Sequence, residues 1–210
     1  MTKLFISLGH DCFIKSLLIN SLSNQPTYIF DWLRFYYVKD IIKLFKNNFE
    51  DFMNEIDFVS DDQSPIGKST PSPNMVHKFN KKFNYTVKHD FTISDNFKLV
   101  KDKYNRRIER FKKDCKDSET VFIRFILNDE NINDYLELYK ELQIYAKNSI
   151  LILIHNQNNI NINTKHVAWH ALNNKYIYLI QHNNKTLWNK EGVTNEKIKN
   201  IIQEIVKTAF

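Results

Sequence analysis

FISLGHDCFIKSLLINSL, residues 5–22, runs from an apolar stretch through a single glycine into an amphipathic segment with a cysteine in its first turn. Lys3 to Leu8 form a β-prone run that stops at Gly9, and from Cys12 onward Ile14, Leu17, Leu18 and Leu22 recur at helical spacing. The stretch reads as strand, tight loop and helix. Asp11 stands at the N-cap, where a carboxylate accepts from the unpaired amides of the first turn, so Cys12 takes the first helical position.

The same alternation continues along the chain. VKDIIKLFKNNFEDFM has helical periodicity through Val38, Ile41, Ile42, Phe45, Phe49 and Phe52, and FKLVKDKYNRRIERFKKDC (97–115) is a strongly basic helix. Residues 76–93 alternate as one or two strands. TVFIRFIL (120–127), SILILIH (149–155) and YIYLIQH (176–182) are buried strands, with a helix over 133–147 opened by an Asn cap and a closing helix capped by Thr194. Strands apolar on both faces and separated by helices predict an α/β fold of three layers, a mostly parallel sheet flanked by helices. One domain is expected over 1–210, with 57–75, which holds three of the four prolines, as a surface loop or insertion.

In such sheets ligands lie beyond the carboxyl ends of the strands. Here those ends carry Gly9 to Cys12, Asn128 to Asp129, His155 to Asn156 and His182 to Asn183. A thiolate is favoured at a helix N-terminus by the unpaired amides and the macrodipole, which makes Cys12 the candidate nucleophile. Asp11 opposes the thiolate, so a base partner is needed. His89 of VKHDF is the first choice, since His77 adjoins the Pro-rich loop. Asp90 follows His89 directly and would face the other way in extended chain, so Asp31, among the aromatics of YIFDWL, is the expected orienting carboxylate. Packing is the commoner role for a free cysteine, and Cys115, among Lys and Asp near a helix end, is read as a bystander.

FISLGHDC, FDW, HDF, KYNRRIERF and VFIRF, in this order over residues 4–127, resemble the family of papain-like cysteine peptidases of unassigned function found in bacteria and large DNA viruses. The resemblance implies a thiol-dependent hydrolase with Cys12 as nucleophile and His89 as base, with Asp31 and Trp32 in the FDW element, and draws attention to Arg106 and Arg107. The expected substrate-facing set is Gly9, His10 and Asp11 at the first strand end, Trp32 and Asp90 beside the triad, Arg106 and Arg107 as holders of an anionic group, and Arg124. The strand, GxxC and helix arrangement is also similar to hydrolases that place the nucleophile after the first strand and take the base from a late loop, which keeps His170 and His182 as alternatives.

Composition narrows the remaining classes. Hydrophobic residues make up 42% and aromatics 14%, which excludes a disordered chain. Two cysteines give no disulfide framework, no signal-peptide pattern opens the chain, and no apolar run approaches the ~20 residues of a membrane span, so a cytoplasmic protein without a span is expected. The net charge of +6 invites a polyanion, but 26 Asn against three Gly point to an AT-rich coding bias behind part of it. The basic helix 98–113 is the feature that would bind nucleic acid, a reading not favoured over catalysis because Asp102, Glu109 and Asp114 interrupt it.

His166 and His170 have the spacing of a zinc pair on a helix, but no glutamate follows the first, and no metal is expected. The isolated glycines provide no phosphate cradle, and IGKST lacks the upstream glycine of a P-loop, so no cofactor is expected. The sequence thus predicts a thiol-dependent hydrolase or acyl transferase acting on a small-molecule, peptide or glycan substrate. The alternatives are a non-catalytic polyanion-binding module and a transferase acting on an anionic glycan or nucleotide-linked donor.

Overall fold

A run such as Val121 to Ile126, apolar on both faces apart from Arg124, is stable only where both faces are covered. A computed structural model of the chain describes residues 3–10, 14–19, 22–65, 71, 74–92, 96–126, 130–131, 133–157, 165–172, 175–183 and 193–210. In chain order, β1 (Lys3–Ser7) is followed by a π-helical segment, Ile14–Ile19, then β2 (Leu33–Phe35), α1 (Val38–Lys46), β3 (Phe58–Ser60), β4 (Lys78–Asn80) and β5 (Tyr85–Val87). There follow α2 (Phe97–Lys116), β6 (Glu119–Ile126), α3 (Asp134–Tyr145), β7 (Ser149–Gln157), β8 (Lys165–Leu172), β9 (Lys175–Asn183) and α4 (Val193–Ala209).

Strands β1, β6, β7 and β9 form a parallel sheet in that order, and β8 closes one edge antiparallel to β9. Alternation divides each strand between two cores. Leu4, Ile6, Phe122, Ile126, Leu151, Leu153 and Ile177 face α1, α2 and α3. Phe5, Val121, Ile123, Phe125, Ile150, Ile152, Ile154 and Ile180 face Ile198, Ile202, Ile205 and Val206 of α4, together with Ile14 and Ile19. The expected α/β architecture with helices on both faces of a parallel sheet is therefore what the chain adopts. Among the described residues no helix is long and apolar enough to cross a membrane.

A second sheet, in the order β2, β5, β4, β3 and antiparallel throughout, was not foreseen in the sequence as a separate layer. Its Phe35, Tyr85 and Val87 join the same core as α1 to α3. Phe35 stacks on Tyr85 at 4.8 Å, and the Tyr85 hydroxyl donates to the Phe52 carbonyl.

Several boundaries differ from the sequence reading. Phe58 to Ser60, expected within a surface loop, form an edge strand paired with Lys78 to Asn80, while 66–70 and 72–73 of that stretch lie outside the described residues. The helix expected through Phe52 ends at Lys46, because Asn48, Phe49 and Asp51 take positive φ values of 54°, 68° and 58°. Asparagine and aspartate tolerate that region, and the turn still buries Phe49 against Phe45 and Phe111. Asn133 is in helical conformation and makes no side-chain cap, whereas Asn96 caps α2 by accepting from Lys98 N and Leu99 N. Thr194 lies inside α4. The segment expected to be an α-helix from Cys12 is wider, π-helical over Ile14–Ile19; Asp11 and Cys12 lie outside the described residues.

Gly9 has φ +56°, and a Cβ built on it would stand 3.1 Å from the Phe30 carbonyl and 3.2 Å from that of Leu33. Both contacts are backbone and cannot swing away. Gly9→Ala is expected to lower stability by about 2 kcal/mol, the sum of the left-handed penalty and the crowding. The midpoint of urea unfolding checks this, with a circular dichroism spectrum of the folded variant as control.

Candidate functional site

The turn after β1 is fixed from several directions. Gly9 N donates to Ser7 Oγ at 3.1 Å, and the Gly9 carbonyl accepts from Phe35 N at 3.3 Å and from Arg124 Nη1 at 2.8 Å. The glycine turn therefore lies against the backbone of Phe30 and Leu33, on either side of Asp31 and Trp32. His10 continues it, its ring edge-on to Phe125 at 6.3 Å. A side chain here would crowd both carbonyls and strain the positive φ, which is the physical reason for glycine at this point in the sequence.

Trp32 carries the contact onward. Its half-buried indole meets the exposed His89 imidazole edge-to-face, with ring centroids 5.5 Å apart and planes at 73°. Three stretches singled out in the sequence, SLGH, FDW and HDF, are thus contiguous in space through Gly9, Phe30, Trp32 and His89.

The neighbouring carboxylate turns the other way, although the chain bends at His89 and Asp90, beyond the end of β5, instead of continuing extended as expected. Asp90 is buried and receives Arg107 in bidentate fashion, Nη1 to Oδ2 at 2.9 Å and Nη2 to Oδ1 at 3.1 Å. Tyr104 donates to Oδ2 at 2.6 Å, Lys103 to Oδ1 at 3.1 Å, and the Arg107 guanidinium stacks on the Tyr104 ring at 4.7 Å. Burial alone would raise the Asp90 carboxyl; the hydrogen bonds and charge of Arg107, with Tyr104 and Lys103, outweigh it and hold the group below its usual range.

Asp31 is fully buried. Its Oδ2 accepts from Tyr28 N at 2.8 Å and lies 3.3 Å from Lys15 Nζ, while Oδ1 has no hydrogen-bond partner among the described residues. Burial pushes its carboxyl up, and the charge of Lys15 and the Tyr28 amide recover only part of that. Lys15 comes from the π-helical segment, is itself buried and also donates to the Pro26 carbonyl at 3.2 Å. Asp31 thus ties the segment downstream of Cys12 to the FDW element through Oδ2.

The three arginines of the expected set separate. Arg106 is exposed, whereas Arg107 is committed to Asp90. Arg124 is fully buried, with Nη1 on the Leu8 and Gly9 carbonyls at 3.1 and 2.8 Å, Nη2 on Glu130 at 2.7 Å and Nε on Tyr135 at 3.3 Å. Asp90, Arg107 and Arg124 are therefore internal struts, each buried and bonded within the chain. Glu130 also lines a cleft of about 370 Å³ with Tyr37, Lys39, Asp40, Lys43 and Asp134. His155 stands half-buried near the end of β7, its imidazole held toward the neutral form by burial. His166 and His170 fall in β8 and His182 in β9, so the spacing of the first two belongs to extended chain, about 13 Å over four residues, and not to one helical turn.

Lys15 and Glu130 were missed in the sequence. The available signal was a lone lysine in an apolar stripe and a lone arginine in an apolar strand, each of which needs a buried partner.

A family model described as "putative papain-like cysteine peptidase" matches residues 3–158; no curated protein and no solved structure matches the chain.

The Asp90 network gives a signed expectation. Folding holds this carboxyl below its unfolded value of about 3.9, so its contribution is complete above that value and is lost as pH falls through the folded one. Asp31 acts oppositely, since its raised carboxyl takes up a proton on folding and stability declines as pH rises through the raised value. Asp90→Asn is expected to cost about 3 kcal/mol at neutral pH by leaving Arg107 buried without its counter-charge. Urea unfolding from pH 3 to 7 should show a smaller acid loss in the variant than in the wild type.

Proposed function

As the chain belongs to the putative papain-like cysteine peptidase family, we propose that it is a thiol-dependent hydrolase or acyl transferase in which Cys12 attacks a carbonyl and His89 carries the proton. The observation that carries the reading is the contiguity of the Gly9 turn, Trp32 and His89, which brings an exposed imidazole into the neighbourhood of the turn leading to Cys12. His89 falls within the matched span 3–158, whereas His170 and His182 fall beyond it, which favours His89 as base. Cys115 is an unsuitable nucleophile: it is fully buried, and burial pushes its thiol up to about 12, with a Thr120 hydrogen bond offsetting part of the shift.

The chemistry follows from these groups. His89 takes the thiol proton, the Cys12 thiolate adds to the carbonyl carbon, and the tetrahedral adduct collapses to a thioester as the imidazolium protonates the leaving group. Water, or an acceptor nucleophile in the transferase case, then gives its proton to His89 and displaces the thiol. Asp31 Oδ1, without a hydrogen-bond partner among the described residues, has the acceptor capacity to orient an imidazole N–H, and the cleft beside Glu130 offers room for part of a substrate.

A second reading, a non-catalytic polyanion binder, has one observation behind it. Helix α2 carries nine basic and three acidic residues, a net charge equal to the +6 of the whole chain. Lys103 and Arg107 face Asp90, and Arg110 donates to the Thr27 carbonyl, leaving Lys98, Lys101, Arg106, Lys113 and Lys116 exposed. Under this reading Arg106→Glu with Lys113→Glu abolishes salt-dependent retention on heparin; retention unchanged by the double variant removes it.

Iodoacetamide at pH 7, read by peptide mass mapping, tests the leading reading. Cys12 is expected to react at least about tenfold faster than a free cysteine, Cys115 only after unfolding, and His89→Gln should remove the Cys12 advantage. Slow labelling of both cysteines in the wild type overturns the nucleophile assignment.

A further inference from the structure

We propose that Arg124 is a positioning residue for the thiol: one guanidinium holds the two carbonyls, Leu8 and Gly9, that end β1, and so sets the direction in which the chain leaves for Cys12. This rests on the reading of Cys12 as nucleophile. Arg124 sits in the middle of β6 among Phe122, Ile123, Phe125 and Ile126, with 0% of its surface exposed. Burying an ion pair there brings little net stability, because desolvation offsets the attraction and an apolar residue of similar volume would serve the core as well. The arginine earns its place by geometry.

Its planar fork is used on three sides. Nη1 spans Leu8 O and Gly9 O, Nη2 meets Glu130 Oε1, and Nε meets the Tyr135 hydroxyl, which in turn donates to Glu130 Oε2. Glu130 Oε1 also accepts from Val38 N at 2.6 Å, so the first turn of α1 is joined to the same carboxylate. A lysine, a point charge on a flexible stem, cannot meet two carbonyls and a carboxylate in one plane. The need for such a clamp lies in Gly9. A glycine at φ +56° has neighbouring backbone states of similar energy, and the peptide following it can rotate among them. Arg124 and Phe35 N both hold the Gly9 carbonyl, which removes that freedom. Cys12 follows three residues later in the sequence, and misplacement of a reacting atom by about 1 Å is enough to cost on the order of 10²-fold in rate.

A merely structural arginine would alter stability and leave the reactivity of the folded state unchanged, and this separates the two roles. Iodoacetamide alkylation of Cys12 is followed from pH 5 to 9 in the wild type, Arg124→Lys and Glu130→Gln, with buried Cys115 as the internal reporter of opening. Arg124→Lys is expected to lower the Cys12 plateau rate about tenfold or more while Cys115 stays unlabelled, and Glu130→Gln, which keeps an acceptor for Nη2, to lower it about two- to threefold. A Cys12 profile in folded Arg124→Lys that overlays the wild type overturns the proposal, as does a change that only tracks exposure of Cys115. If Arg124→Lys does not fold, Glu130→Gln decides, an unchanged profile counting against the clamp. A wild-type Cys12 no faster than free cysteine overturns the nucleophile reading instead, a result visible before any variant is compared.

Discussion

The parallel pairing of β1, β6, β7 and β9 requires cover on both faces, and that requirement organises the rest of the chain. One face is closed by α4 with the π-helical segment, the other by α1, α2 and α3 with the antiparallel sheet. All four parallel strands point the same way, so the segments that follow them emerge on one edge. Gly9 and His10 leave β1 there, Glu130 follows β6 there, and His155 lies near the end of β7 there. The concentration of polar groups at that edge is thus a consequence of chain direction before it is a matter of chemistry.

Two of the buried ion pairs add what apolar packing cannot. Asp90 with Arg107, Tyr104 and Lys103 joins the residue after His89 to α2, and Arg124 with Glu130 and Tyr135 joins the end of β1 to the start of α3. Such pairs contribute modestly to net stability, yet a mispaired arrangement would leave a charge buried alone, at a cost of several kcal/mol. Each therefore acts against alternative packings of the loops around His89 and Gly9. The family match over residues 3–158 spans both pairs and the Trp32 and His89 contact, and ends before β8, β9 and α4.

Much of the site was legible because backbone rules are local. Gly9 signalled a turn, and His89 and Asp90 do face apart, with Asp90 on Arg107, but through a bend beyond β5 and not through strand alternation. The burial of Arg124 was not legible in the sequence, because it depends on β6 lying between β1 and β7, a long-range pairing with no local signature. Asp31 was rightly placed among aromatics, but its partner Lys15 comes from the other side of the Pro26 turn and is found only once the π-helical segment is packed.

The sequence by itself determined the class of the fold and the order of its motifs. Apolar runs of strand length alternating with amphipathic helices leave few solutions besides a covered parallel sheet, and hydrophobic periodicity survives in one dimension. Only the tertiary structure decided that Phe58 to Ser60 form an edge strand, that the helix after Val38 stops at Lys46, and which carboxylate each buried cation meets. Those outcomes depend on contacts between residues up to 116 positions apart, as between Arg124 and Leu8, and on desolvation that exists only when both partners are buried together.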